Sequence, residues 1–118
     1  MRIKRGVTSH RRHKKVLAQT KGHRATRHSL IRRAKESLLH ALSYSYAHRK
    51  DRQGDMRRLW ILRVNAASRA QGLSYGQFIY GLKQAGVEVN RKMLADMAVK
   101  EPEAFAELVT VAKGKIEA

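Results

Sequence analysis

An all-α fold is predicted, with a basic N-terminal extension and a long helix over about 30–71 leading into a small C-terminal helical domain. Three observations predict it. Apolar residues recur at i, i+3 and i+4 spacing wherever there are enough of them to pack, and strand-like alternation is absent. Capping residues and glycines bracket those periodic segments. The charge is also divided unevenly: residues 1–59 hold 18 Lys and Arg against 3 Asp and Glu, whereas residues 60–118 hold 8 against 6. The first half is therefore expected to serve as an extension and the second as the folded domain, with the boundary at 59/60.

Residues 1–29 contain ten Lys or Arg, four His and few large apolar side chains (Ile3, Val7, Val16 and Leu17). They are expected to build no core. Thr8 or Ser9 can cap a short helix over roughly 9–20, and Gly22 marks a stop or turn. Free of a polyanion, this stretch is expected to be largely disordered, because short isolated helices are marginal even without charge repulsion.

From about Ser29 a second pattern begins. Ile31, Ala34, Leu38, Ala41 and Leu42 form an apolar stripe that continues to Tyr46. The polar run Arg49–Met56 has apolar residues on both sides, so one helix over 30–71 is expected. Gly54 is its weakest point, costing roughly 1 kcal/mol relative to Ala; a turn there, splitting the helix in two, is the alternative. In the segment Arg57–Arg69, helical spacing gathers Arg58, Asn65 and Arg69 on one face. Leu59, Trp60, Val64, Ala66, Ala67 and Ala70 fall opposite, interrupted by Arg63. That polar edge is either simply solvated or a contact for an anionic partner.

Gly72 ends the long helix. Ser74 and Gln77 fit a capping box for a short helix with Tyr75, Phe78, Ile79 and Leu82 on its apolar face, stopping at Gly86. Val87–Val89 reads as a brief extended link. Asn90 can cap a helix carrying Leu94, Met97 and Ala98, and Pro102 suits the first position of a last one, striped by Phe105, Leu108, Val109 and Ala112.

The net charge of +17 points to a polyanion as partner, most simply nucleic acid. A membrane surface is disfavoured because the basic half lacks a broad face of bulky apolar residues. Without cysteine there is no disulfide or thiolate metal site. No apolar run approaches the roughly 20 residues that span a bilayer. The basic N-terminus has no apolar stretch behind it and so is not a secretory signal. An Arg-rich, acid-poor start also suits an organelle transit peptide, but serine is sparse and the basic pattern runs past residue 50. A cytoplasmic location is expected.

His10 and His13 share a helix face, but Arg11, Arg12, Lys14 and Lys15 around them would repel a dication, so no metal or other cofactor is expected. Catalysis is not expected either: there is no defensible nucleophile–base pair, paired carboxylates or glycine-rich phosphate loop. Asp96, Glu101, Glu103 and Glu107 read as solvated helix positions. A basic zipper fails the heptad test, because positions 31, 38, 45, 52 and 59 are Ile, Leu, Ser, Arg and Leu. Trp60, Phe78 and Phe105 read as core. Tyr46 is expected to pack on its own helix's stripe, and Tyr44 either packs or stacks on unpaired bases.

The residues now resemble a known family. Leu59-Trp60-Ile61, Arg63 to Arg69, Gly72-Leu73-Ser74-Tyr75, and Phe78-Ile79 with Gly81-Leu82-Lys83 look like the bacterial large-subunit ribosomal protein twenty family. So do Arg5-Gly6-Val7, Arg12-His13-Lys14-Lys15, Lys21-Gly22, and Arg91-Lys92 with Leu94-Ala95-Asp96 and Ala98. The resemblance spans essentially the whole chain. It departs at His23 and Arg24, where aromatic residues usually follow Lys21-Gly22, and at Gly54 and Asp55, where the family is usually more basic. It implies a non-enzymatic protein that binds large-subunit ribosomal RNA beside other ribosomal proteins and supports subunit assembly. In some members it implies repression of the protein's own messenger.

The residues then expected to meet RNA in the extension are Lys4, Arg5, Arg11, Arg12, His13, Lys14, Lys15, Lys21, Arg24 and Arg27. On the basic part of the long helix they are Arg32, Arg33, Arg49, Lys50, Arg52 and Arg57. In and beside the C-terminal domain they are Arg58, Asn65, Arg69, Ser74, Arg91 and Lys92. A DNA-architectural protein is the alternative that composition alone allows.

Overall fold

The computed structural model describes residues 2–118, and every regular element in it is helical. In order they are α1 (Thr8–Gln19), a single 3₁₀ turn (Ala25–His28), α2 (Ile31–Ala70), α3 (Tyr75–Gln84), α4 (Arg91–Lys100) and α5 (Pro102–Glu117). The all-α expectation holds, and α2 runs unbroken through Gly54. Nothing lies within 4 Å of where a Gly54 Cβ would be, so the glycine is not there for a close contact. Contacts divide the chain into two compact units, residues 1–50 and 51–118, and the division falls within α2.

In the first unit, α1 begins at Thr8 after Val7, and no side chain caps it. The expected cap at Thr8 or Ser9 is therefore not made: Thr8 Oγ1 instead donates backwards to the Arg5 carbonyl at 3.0 Å. Gly22 turns the chain in the left-handed region, at φ +90°. Within residues 2–29 some side chains do contribute to a small packed contact, against expectation. Thr20 and Ala34 are both fully buried, and Val16, Leu17, Ile31 and Leu38 are half-buried. The residues at the centre are small, so the chain reversal can lie close to the start of α2. The Thr20 hydroxyl is satisfied by the Val16 and Leu17 carbonyls, and His23 Nδ1 shares a 2.7 Å hydrogen bond with Ser37 Oγ.

Beyond Leu38 the expected apolar stripe of α2 packs on no other element among the described residues. Ala41, Leu42 and Tyr46 are exposed, as is every residue from Leu39 to Asp55. Tyr46, expected to pack on its own helix's stripe, stays 61% exposed there: periodicity made a face, but no second layer among the described residues covers it.

The second unit has a conventional core. Val64, Leu73, Phe78, Leu82, Leu94, Ala95, Phe105, Val109 and Ala112 are buried, with Trp60, Tyr75, Ile79 and Leu108 packed around them. Phe78 and Phe105 meet at a centroid distance of 5.1 Å with a 41° tilt, within the favourable range for aromatic pairs. The face that α2 buries is rotated from the expected one. Ser68 is fully buried, whereas Ala66 and Ala70 are exposed. Serine tolerates this because its hydroxyl donates to the Asn65 carbonyl at 3.1 Å, and its small volume admits close neighbours.

The helix ends follow local chemistry. At Gly72, φ +92°, the amide N–H of Gly72 bonds the Arg69 carbonyl and that of Leu73 bonds the Ser68 carbonyl. Gly86, φ +74°, repeats this with Lys83 and with Val87 to Leu82. Both are Schellman ends, in which a residue at positive φ satisfies the last carbonyls and an apolar residue follows. Ser74 and Gln77 make the complete capping box, Asn90 Oδ1 accepts from the Met93 amide at 2.9 Å, and Pro102 opens α5.

Candidate nucleic-acid interface

Most of the expected contact residues of the second unit fall into two arrangements. In the first, Arg57 and Trp60 of α2 face Asn90, Arg91 and Lys92 at the start of α4 across a cleft of about 230 Å³. Three of these five residues are cationic and none is acidic. The opening turn of α4 also holds no acidic residue. Its free backbone N–H groups and dipole add positive potential there. The Arg91 guanidinium is oriented by Tyr75: its Nε donates to the phenol oxygen at 2.7 Å, leaving its two terminal nitrogens for a ligand.

Trp60 and Lys92 also border a second cleft, together with Arg63, Met93, Ala95, Asp96 and Lys100. Asp96 and Lys100 form an ion pair at 2.9 Å. The hydrogen bond and charge of Asp96 raise the Lys100 pKa above its ordinary value. Lys100 therefore stays protonated, but the Asp96 carboxylate offsets its charge, which leaves Arg63 and Lys92 as the uncompensated cations beside the indole. Sequence reasoning did not include Arg63 in the site, although its signal was visible as a cation interrupting an otherwise apolar arc.

The second arrangement lies along α2. Arg69 Nε donates to Asn65 Oδ1 at 3.0 Å, and Arg58 reaches back to Asp55 at 3.3 Å. The Asn65 amide therefore anchors Arg69, while its Nδ2 hydrogens remain available. At about 100° per residue, Arg57 and Arg58 point in clearly different directions. Arg91 and Lys92 share a cleft with Arg57, so they belong to the first arrangement and not to the Arg58–Asn65–Arg69 edge. Ser74 is committed elsewhere: its hydroxyl accepts from the Gln77 amide at 3.4 Å and donates to Gln77 Oε1 at 3.2 Å.

In the first unit the expected contact residues Lys4, Arg5, Arg11, Arg12, Lys14, Lys15, Lys21, Arg24, Arg27, Arg32, Arg33, Arg49 and Lys50 are all exposed, and His13 is half-buried. Arg33 is held by Glu36 at 3.8 Å. Arg27 borders a cleft with Glu36, Ser37, His40, Ala41 and Tyr44. Tyr44 lies between His40 and His48, with nearly parallel rings at 6.0 and 6.1 Å.

Residues 2–108 match the family model described as Ribosomal protein L20. Among curated relatives, the large ribosomal subunit protein bL20 of Dehalococcoides mccartyi is 65% identical over 105 residues, covering 89% of this chain and 88% of the relative. The protein of the same name from Thermomicrobium roseum is 58% identical over 113 residues, covering 96% and 97%. That from Moorella thermoacetica is 53% identical over 115 residues, covering 98% and 95%. A family match over nearly the whole chain, with relatives this similar at nearly full length, shows that the chain belongs to the Ribosomal protein L20 family, whose members are structural and not catalytic.

Proposed function

We propose that this chain, a structural constituent of the large ribosomal subunit, binds large-subunit ribosomal RNA directly and supports assembly of the subunit in the cytoplasm. The observation that carries the reading is the acid-free cleft of Arg57, Asn90, Arg91 and Lys92 at the start of α4. A phosphate placed there meets cations from two helices, a guanidinium pre-oriented by Tyr75, and backbone N–H donors. The Arg58–Asn65–Arg69 edge supplies a second contact, in which the amide can read a base edge or a 2′-hydroxyl.

Residues 1–59 and 60–118 divide the work, with Arg57 and Arg58 at the boundary joining the C-terminal contact surface. The basic part neutralises phosphates where RNA helices come together, which adds affinity and favours the compact RNA. The C-terminal part recognises a particular site, because a packed helix holds its contact groups in register. Neighbouring ribosomal proteins complete the surroundings of both parts.

Competition binding tests the reading. Large-subunit ribosomal RNA should displace duplex DNA of equal length from the protein at moderate salt. Equal or better binding of the duplex would instead favour a DNA-architectural role.

A further inference from the structure

We infer that Leu39, Leu42 and Tyr46 form a docking strip for unpaired bases of the bound RNA, with Tyr46 as the stacking platform. The inference rests on the RNA reading above and goes beyond phosphate neutralisation. At about 100° per residue the three side chains fall within about 60° of arc on α2. They are 71%, 60% and 61% exposed, respectively, which is unusual for a contiguous set of large apolar groups with no layer over them.

Charge identifies the occupant. Lys35, Arg49 and Lys50 border the strip, all exposed. Glu36 is the only acidic residue among the first fifty, and it lies about 90° around the helix from the strip's centre. Its charge is also partly met by Arg33 at 3.8 Å. An apolar protein partner would gain nothing from that cationic border. A lipid surface would need a broader apolar face than three side chains. Nucleic acid offers flat apolar bases and a phosphate at each one, and bases must be unpaired to present their faces.

The two exposed tyrosines of this region differ in the way that matters. Tyr44 has a histidine ring on each side along the helix, at 6.0 and 6.1 Å, so His40 and His48 compete with a base for its faces. Tyr46 has only the Lys50 ammonium, 5.5 Å from its ring centroid. A base can stack on the free face of Tyr46 while Lys50 turns to the phosphate of the same nucleotide.

The test uses the full chain, deproteinised large-subunit ribosomal RNA and a salt series. Tyr46→Ala should lower affinity roughly 5- to 150-fold, the range that stacking one base supplies, with the salt slope unchanged. Tyr46→Phe should retain wild-type affinity because it keeps the ring, and Tyr44→Ala should stay within about twofold because His40 and His48 compete for that ring. Alanine is the better helix former, so unfolding of α2 would not explain a loss.

If the wild type binds this RNA tightly and Tyr46→Ala binds it equally well, the strip is wrong while the RNA reading stands. If the wild type shows no preference for this RNA over duplex DNA, both fall. Retained RNA binding by Tyr46→Ala, with loss of binding to phosphatidylcholine–phosphatidylglycerol vesicles, would reassign the strip to lipid and overturn the proposal.

Discussion

Gly81→Ala should destabilise the second unit by an amount that the packing of α3 on α5 sets. A Cβ built on Gly81 would lie 2.6 Å from the Ala112 carbonyl oxygen and 2.8 Å from both Ala112 Cα and Cβ. Ordinary contact begins at 3.4 Å, so the helices would have to separate by most of an ångström. Two of the three opposing atoms are backbone, and no rotamer change can move them aside. Overpacking of this kind costs about 1–3 kcal/mol, and a rigid opposing surface places it near the upper end. Alanine returns about 1 kcal/mol through helix propensity. The net is a loss of about 2 kcal/mol, which for a unit of this size lowers Tm by roughly 8–16 °C. Thermal unfolding of the full chain followed by far-ultraviolet circular dichroism measures it, with the near-ultraviolet signal of Trp60 reporting on the second unit. Gly54→Ala is the matched control: no atom lies within 4 Å, so the helix should gain roughly 0.5–1 kcal/mol. A Gly81→Ala protein as stable as the wild type would refute the close approach of α3 and α5.

Three further outcomes are expected. Asn65→Ala should cost roughly 1–3 kcal/mol at the correct RNA site with little effect on non-specific RNA, because it removes both an amide and the anchor of Arg69; equal weakening on all RNAs would contradict that role. Replacing Arg11, Arg12, Lys14 and Lys15 together by Ala should weaken binding to most RNAs alike and flatten the salt dependence by roughly 0.7–0.9 log units per lost phosphate contact; isotherms across a salt series would expose an unchanged slope. Ser74→Ala should lower stability by about 1 kcal/mol through loss of the capping box, read by chemical denaturation. An affinity loss larger than that instability explains would show the hydroxyl touching RNA.

The helix boundaries were legible because they depend on nearest neighbours along the chain. A serine three residues before a glutamine, an asparagine before an apolar run, a proline at a first turn and a glycine after a last one act through backbone groups within four residues. Those signals placed the starts of α3, α4 and α5 and the ends at Gly72 and Gly86. The N-terminal cap was misplaced because Thr8 has a competing acceptor behind it, the Arg5 carbonyl, and the pattern alone does not rank the two. The proposed contact residues were legible only as residue types: charge asymmetry says that many cations seek an anion, and the family motif says which kind.

Tertiary structure decided which face of each helix met another layer. Periodicity defines an apolar arc but carries no information about whether anything covers it. On α2 the stripe from Ala41 to Tyr46 is uncovered, while near its end the buried face turned toward Ser68 and away from Ala66 and Ala70. Gly81 reads in sequence as a mild weakness in a helix, and only the Ala112 backbone pressed against it makes it a requirement. Arg63 became a candidate contact, and Arg91 and Lys92 parted from the Asn65 edge, once α4 was placed against Trp60. These outcomes depend on residues 20–50 positions apart in the chain, and what a side chain faces at that range is settled by packing of the whole unit, not by its local pattern.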